Sequence, residues 1–258
     1  MKHSTMLQNK WVRLLLAVAF WAAVWQFLAS YVGISLLLPT PMESFRVLLV
    51  SLTQPEFWLT VASSLVRVFG GFVVGCALAV LSAVLTTQNT VCDILLTPMI
   101  RLIRAVPVIS FISLAMLCLH SAILPAVIAV LIVLPVVWAN VAEGIAAVNP
   151  QLLEMTCSFG FGFRKRLRFL YLPSVLPYFR SGAVTALGLA CKSAVTAEVL
   201  CKPVQAIGTQ LHYSRIYMET AELFAWSVTV ILVSLFMERG LAAMLKRLPG
   251  GGWDDDPV

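Results

Sequence analysis

The sequence predicts an all-α integral membrane protein, a polytopic bundle of about six transmembrane helices. Three observations carry this. Hydrophobic residues make up 60% of the 258 residues and charged residues 12%, with a mean hydropathy of +0.93. Soluble domains carry about 25% charged residues, so this chain has too little polar surface to cover a water-exposed globule. The apolar residues also come in runs matched to a bilayer, which takes roughly 20 residues of helix to cross at 1.5 Å each. Finally, the runs are continuously apolar, whereas a lipid-facing barrel strand alternates.

Taken in order, residues 14–38 hold no charge, 59–85 only Arg67, and 94–119 only Arg101 and Arg104. Residues 123–142 are clean, 174–200 hold Arg180, Lys192 and Glu198, and 223–237 are uncharged. The first run exceeds the core of a signal peptide and reads as a retained helix. Pro98, Pro107, Pro125 and Pro135 mark candidate kinks in the third and fourth spans. Gly70, Gly71 and Gly75 suggest close helix packing. Trp11, Trp21, Trp58 and Trp253 read as interfacial or packing residues.

Charge placement sets an expected topology. Lys2, Lys10 and Arg13 precede the first span, and Arg164, Lys165, Arg166 and Arg168 crowd the segment between the fourth and fifth. Arg239, Lys246 and Arg247 follow the sixth. The intervening loops offer only Arg46, Lys202 and Arg215. Positive residues favour the cytoplasm, so both termini are expected there. The expected organisation is a cytoplasmic N-terminus over 1–13, a membrane domain over 14–245 and a cytoplasmic tail over 246–258. In that tail Gly250–Gly252 and Asp254–Asp256 read as flexible and acidic. The net charge of +6 follows from the same bias and calls for no nucleic-acid partner.

Catalytic signals are absent from the sequence. His3, His120 and His212 are scattered singly, and Cys76, Cys92, Cys118, Cys157, Cys191 and Cys201 form neither C-x-x-C nor zinc spacing. Residues 186–193, ALGLACKS, echo a phosphate-binding loop but have Ala186 and Cys191 where glycines must wrap phosphate. The chain is therefore read as a non-enzyme.

The segment from Asn149, NPQLLEMTCSFGFGFRKRLRFLYLPSVLP, is the most informative. Pro150 opens a helix, with Glu154 placed early enough to favour its dipole. Gly160 ends it in a left-handed cap. A basic second short helix follows, and Pro173 marks the start of the next span. Glu154, Gly160, Leu170 and Leu172–Pro173 together resemble the cytoplasmic coupling loop of permeases in ATP-binding-cassette importers. That pattern reads E-A-A, three residues, G, nine residues, I-x-L-P, and the spacing here fits without a gap. Met155 and Thr156 replace the two alanines, and Leu170 the isoleucine. An ordinary basic loop bound to anionic lipid is the bland alternative.

The resemblance extends over roughly residues 36–245, to nitrate/sulfonate/taurine-type permeases. Leu38-Pro39-Thr40-Pro41 is similar to their L-P-x-P, and residues 64–72, SLVRVFGGF, to S-L-x-R-x-x-x-G-F. Ala190-Cys191-Lys192-Ser193, Ala197-Glu198-Val199-Leu200 and Leu223-Phe224-Ala225-Trp226 resemble A-W-K-x, A-E-V-[IL] and L-F-A-W, with Cys191 replacing tryptophan. The third span departs from the family run, having Val106-Pro107-Val108 and then Leu119-His120.

This resemblance implies a type I importer-like permease of the bacterial inner membrane, pairing with a second, often identical, copy around one pathway. Two cytosolic ATPase subunits would receive the coupling loop, 143–173, and an extracytoplasmic binding protein would deliver a small solute. ATP and Mg would sit on those ATPases, with no cofactor on this chain. The family's solutes include nitrate, sulfonates and pyrimidine-like precursors. A self-contained channel or secondary transporter is the rival reading, but no internal repeat supports it and the coupling loop would be unexplained.

Ionisable residues within spans are expensive and are functional candidates. Lys192 and Glu198 are six residues apart and so point roughly 120° apart around a helix. Lys192 is expected to face the pathway and favour anionic or electron-rich solutes, and Glu198 to support an outer gate unless it is merely exposed at the interface. Arg67 either lines the pathway or snorkels to headgroups. Arg101 and Arg104 share a helix face, suited to cytosolic anchoring or to the pathway. Reporter fusions should place both termini and residues 143–173 in the cytoplasm; an extracytoplasmic signal from 143–173 would overturn this topology.

Overall fold

The computed structural model describes residues 10–247, without the side chains of residues 10, 11, 13–15 and 157. The readings placed on Lys2, His3, Trp253, Gly250–Gly252 and Asp254–Asp256, and on the side chains of Lys10, Trp11, Arg13 and Cys157, lie outside the described residues. Within them the chain is helical and contains no strand. The elements are α1 (Lys10–Val32), α2 (Pro41–Leu52), α3 (Pro55–Gln88), α4 (Thr90–Ala105), α5 (Val108–Cys118) and α6 (Leu124–Ala146). They continue as α7 (Pro150–Ser158), α8 (Phe163–Arg166), a π-helical turn (Leu167–Tyr171), α9 (Leu172–Cys201), α10 (Ile207–Ile216) and α11 (Thr220–Lys246).

Every apolar run contains helix, the first only as far as Val32, but not as six uniform spans. Pro55–Gln88, Leu124–Ala146, Phe163–Cys201 and Thr220–Lys246 are each long and apolar enough to cross a membrane, and Leu16–Val32 is a shorter apolar helix. The expected third span is instead a broken pair, α4 and α5, bent by 104°. The break falls at Pro107, which has no N–H to offer the helix and forces Val106 into an extended conformation, φ −78°, ψ 134°. Pro125 does not kink α6; it sits in the first turn, where its missing N–H costs nothing. Pro98 and Pro135 do lie inside helices.

Two stretches read as loops contain helices. Thr40 caps α2 with a reciprocal box: its Oγ1 accepts from the Glu43 N–H at 3.2 Å, and Glu43 Oε2 accepts from the Thr40 N–H at 2.9 Å. α10 occupies the other. The last helix also runs past Met237 to Lys246, so Arg239 lies on it rather than beyond it.

The chain divides into two compact units. The first comprises the described residues up to Thr60 and Gln210–Thr229. Trp25 donates from Nε1 to the Pro39 carbonyl at 3.1 Å, and its ring lies 5.2 Å from that of Phe224. Phe57 stacks on Trp226 at 4.9 Å.

The second unit, Val61–Thr209 with the residues from Val230 onward, carries the main core. Val68, Phe72, Ala79 and Ala83 of α3 meet Ala129, Val133, Val137 and Val141 of α6 and Ala183, Ala186, Leu187, Ala190 and Ala194 of α9. Glycine sets the closest approaches. A Cβ on Gly71 would fall 2.3 Å from the Ala126 carbonyl oxygen, and one on Gly75 would fall 2.8 Å from Val133 Cβ. Gly70, expected to act likewise, faces open space. Gly182 meets Asn140 of α6, and Gly188 meets the Glu238 carboxylate of α11. Because the Gly71 contact is with backbone, it cannot yield by side-chain rotation. Gly71→Val should therefore destabilise the purified protein by about 1–3 kcal/mol, read as a lowered thermal unfolding midpoint in detergent, whereas Gly70→Val should leave that midpoint nearly unchanged.

Candidate functional site

The segment joining α6 to α9 is built from local signals. Asn149 caps α7 by accepting the Gln151 N–H on its Oδ1 at 2.9 Å, and Pro150 takes the first helical position. At the other end Gly160 adopts φ +66°, and the Phe161 N–H reaches back to the Thr156 carbonyl at 2.9 Å. That is the outer bond of a Schellman cap, and it needs the left-handed residue that Gly160 supplies. A Cβ at Gly160 would touch nothing within 4 Å, so conformation rather than space restricts this position.

Two expectations for this segment need correction. Glu154 is the fifth residue of α7, whose first turn contains no acidic residue, so the dipole argument does not apply to it. Pro173 does lie in the first turn of α9, but it marks no break from a separate short helix before it. Helix continues from Phe163 through to Cys201, 39 residues, with the π-helical turn at Leu167–Tyr171 just before Pro173. A proline ring would clash with the carbonyl four residues back in a regular helix, and the wider π turn relieves that clash. The outcome is one continuous rod instead of two pieces.

Along this loop Glu154, Met155 and Gly160 are exposed, Thr156 is half-buried with its hydroxyl donated to the Leu153 carbonyl, and Leu172 is exposed. Leu170 is buried and Pro173 half-buried. Residues of α8 and the π-helical turn, with Val80, Val84 and Gln88 of α3 and Val141 and Ile145 of α6, line a cavity of about 400 Å³. The loop thus sits at the end of the second unit where α3 finishes and α6 hands over to α7.

At the opposite end lies a buried charge cluster. Glu198, near the end of α9, has no exposed surface. Its Oε2 accepts from Ser64 Oγ at 2.9 Å and from the Gly208 N–H at 3.1 Å, and its Oε1 meets Arg67 Nη1 at 3.3 Å. Arg67 also donates to the Val204 carbonyl at 2.8 Å and the Gln205 carbonyl at 3.2 Å. Ser64 Oγ completes the set by accepting from the Ile207 N–H at 2.9 Å. Exposure at an interface is therefore not what places Glu198, and Arg67 is held in a pair rather than free to snorkel. The cluster grips a strained connection, since Lys202 and Gln205 both take positive φ, 50° and 51°, at a cost of roughly 1–3 kcal/mol each for non-glycine residues.

Sequence reasoning found Arg67 and Glu198 but missed what joins them. Ser64 and Arg67 stand three apart on one helix face, which was a usable signal. Nothing local pointed to Gly208, whose lack of a Cβ lets its backbone meet Glu198: a Cβ there would fall 2.4 Å from Glu198 Cβ. Lys192 is not part of this cluster; it is exposed on α9. Arg101 and Arg104 are exposed on α4. Residues 186–193 lie within the regular helix of α9 and form no loop, and the described cysteines are unpaired.

Removing one partner of a buried pair leaves the other charge uncompensated, which costs about 3–5 kcal/mol. Arg67→Met should lower the thermal unfolding midpoint in detergent strongly. Adding Glu198→Leu to it should recover part of the loss, and strictly additive effects would show that the pair is not coupled.

Residues 71–248, which include the loop, α9 and α11, match the family model described as Binding-protein-dependent transport system inner membrane component. The chain is 25% identical to a probable ABC transporter permease protein of Brucella melitensis, over 83% of this chain and 87% of that one. It is also 25% identical to the bicarbonate transport system permease protein of Synechocystis, over 76% and 70% of the two chains. With the putative aliphatic sulfonates transport permease protein of Bacillus subtilis it shares 25% identity over 92% of this chain and 87% of that one. Among solved structures, its fold is similar to a chain of the inward-facing MetNI methionine ABC transporter, with TM-score 0.52 and 18% identity over 74% of this chain and 94% of that one. An amino acid ABC transporter solved with histidines gives TM-score 0.55 and 15% identity over 73% and 91%. The chain belongs to the family of binding-protein-dependent transport system inner membrane components, the membrane-spanning permeases of ATP-binding-cassette importers.

Proposed function

We propose that this chain forms, with a second permease copy, the solute pathway of an importer in which two cytosolic ATPase subunits receive α7 and an extracytoplasmic binding protein supplies a small solute. The observation that carries this reading is the construction of the 149–173 loop. An exposed nine-residue helix, α7, is capped at both ends and joined through Gly160 to helix continuous with α9. A push on such a helix is transmitted as a change in the tilt of α9 and is not absorbed by a flexible linker. Transport by alternating access needs that kind of stiff element between two stable arrangements.

In this scheme ATP and Mg act on the partner subunits, and both termini and residues 143–173 lie in the cytoplasm. Glu154, Met155, Thr156 and Gly160 form the part presented to the ATPase. Leu170, Leu172 and Pro173 anchor the rod behind it. Arg67 and Glu198, at the other end of the second unit, serve the outer gate by fixing the 202–208 connection. Bicarbonate and aliphatic sulfonates, for which two relatives are named, are small anions, and a solute of similar size suits this chain.

The purified chain alone should hydrolyse no ATP, and co-assembly with its ATPase should confer activity. Gly160→Leu should leave insertion intact but cut uptake by about tenfold or more, because a branched side chain is penalised by roughly 1–2 kcal/mol in the left-handed cap. Glu154→Ala should act in the same direction more weakly. Gly160→Asn should be tolerated, since asparagine accepts that conformation. Wild-type uptake and ATPase association in Gly160→Leu would sink the coupling role.

A further inference from the structure

Transmission through α7 makes no use of Arg164, Lys165, Arg166 and Arg168, four cations within five residues. Among the described residues none of them is paired with a carboxylate. Lys165 lies 5.8 Å from the ring centre of Phe161, and Arg168 5.9 Å from that of Phe169, contacts that leave both charges open to an anion. Cations this close repel one another, so an anion set among them would be held by several at once.

Arg166 also lines the cavity of about 400 Å³ beside the π-helical turn, a volume within the range of about 300–1,000 Å³ usual for small-molecule sites. Its walls are apolar, formed by Val80 and Val84 of α3, Val141 and Ile145 of α6, and Leu167 and Val175. Three polar side chains share the lining: Arg166, Tyr171 and Gln88. The Nε of Arg166 donates to the Phe161 carbonyl at 2.9 Å. Among the described residues its terminal nitrogens, the Tyr171 hydroxyl and the Gln88 amide have no hydrogen-bond partner. Two cavities of the first unit lack this combination: one of about 450 Å³ has no charged residue in its lining, and one of about 510 Å³ holds Glu43, Glu219 and Glu222 with Arg46.

The position is a boundary of the bilayer. α3 ends at Gln88 and α6 at Ala146, so the cavity occupies the last turns of two spanning helices. Phe163, Leu167 and Leu172, which also line it, are exposed, and large apolar groups beside cations suit the level where hydrocarbon gives way to headgroups. Arg164 stands three residues from Leu167 and four from Arg168, so both cations flank the rim on neighbouring faces. A small soluble anion would meet the cations but leave the apolar walls empty. A neutral lipid would fill the walls but leave the cations unpaired, and an acidic protein surface would reach the rim but not the interior. Basic pockets between spanning helices are where an anionic headgroup and its chain are both accommodated.

We infer that this cavity binds an anionic phospholipid, with one acyl chain against Val84, Val141 and Ile145 and the phosphate on Arg166, Tyr171 and Gln88. Arg164 and Arg168 hold the headgroup's charge from the rim, inside a Debye length of about 8–10 Å. Seated there, the lipid joins the ends of α3 and α6 to the turn that precedes α9, and so braces the rod on the side where the protein itself leaves a gap. The site goes beyond the importer reading and does not depend on it.

Photoactivatable lipids test this on the full chain in nanodiscs of phosphatidylcholine, alone and assembled with its ATPase subunits. A trace of phosphatidylglycerol or of phosphatidylcholine, each with a diazirine on one acyl chain, is added, and labelled peptides are mapped by mass spectrometry. Val141 is 2% exposed, so label on residues 141–145 requires a chain inside the cavity. Val73 and Phe236, both exposed, report contact with bulk lipid. The phosphatidylglycerol probe should label 141–145 about fivefold or more above the phosphatidylcholine probe, and the two should label Val73 and Phe236 alike. Arg166→Gln should cut the phosphatidylglycerol label at 141–145 about fivefold, the share of one cation near an anionic lipid, while Arg166→Lys should keep most of it. Val84→Trp should exclude both probes from 141–145. Equal label from the two probes at 141–145, or none, would overturn the site, and that comparison on the wild-type chain needs no variant to fold. Loss of the preference on adding glycerol phosphate would assign the pocket to a soluble phosphate ester. Loss on adding the ATPase would assign the cations to that partner, and either result overturns the lipid site.

Discussion

In hydrocarbon, a helix gains little by exchanging lipid for leucine, so association depends on how closely backbones approach. In the second unit α9 satisfies this with Gly182, Ala183, Ala186, Gly188, Ala190, Ala194 and Ala197, which are buried along most of its length. α3 does the same with Gly71 and Gly75 against α6. Larger residues at these sites would hold the helices apart, and the polar groups near their ends would no longer meet. Glu198 reaches Ser64 and Arg67 only because the helices behind them are nearly in backbone contact.

The buried carboxylate and the loop stand at opposite ends of this packed unit, separated along α3 by about 32 Å between Arg67 and Gln88. Each end is tied in a different way. At the Glu198 end, a charge that would be costly in isolation is offset by bonds to two helices and a strained connection, so cutting any one of them exposes the cost of the rest. At the 149–173 end no buried charge is used. Asn149, Pro150 and Gly160 set the geometry through backbone preference alone, and α7 stays exposed. One end is thus locked to the bundle while the other is presented for contact, with continuous helix between them.

Much of this was legible from local chemistry. The apolar runs, the Pro150 start and the left-handed Gly160 depend on residue type and near neighbours, and each appears where the residues put it. Misreadings arose where tertiary context intervened. Residues 41–52 looked like a loop because they are too short and too mixed to span a bilayer, yet the Thr40–Glu43 box makes them helix. Pro173 looked like a boundary because proline usually ends regular helix, but a π-helical turn absorbs it. Pro107, one candidate kink among four, proved to be a break of 104°, since it also forces the preceding residue out of helical conformation.

The sequence by itself determined that the chain lives in a membrane, which runs become helix, and which family its loop belongs to. All three follow from composition and from spacing within a few tens of residues. Only the tertiary structure decided what Arg67, Glu198 and Lys192 face. Arg67 and Glu198 meet from different helices, 131 positions apart, and hydropathy along a chain holds no information about contacts across such a gap. A lysine and a glutamate in one span look alike to composition. Packing separates them, burying Glu198 in a closed set of bonds and leaving Lys192 on the one side of α9 that no helix of its own unit covers.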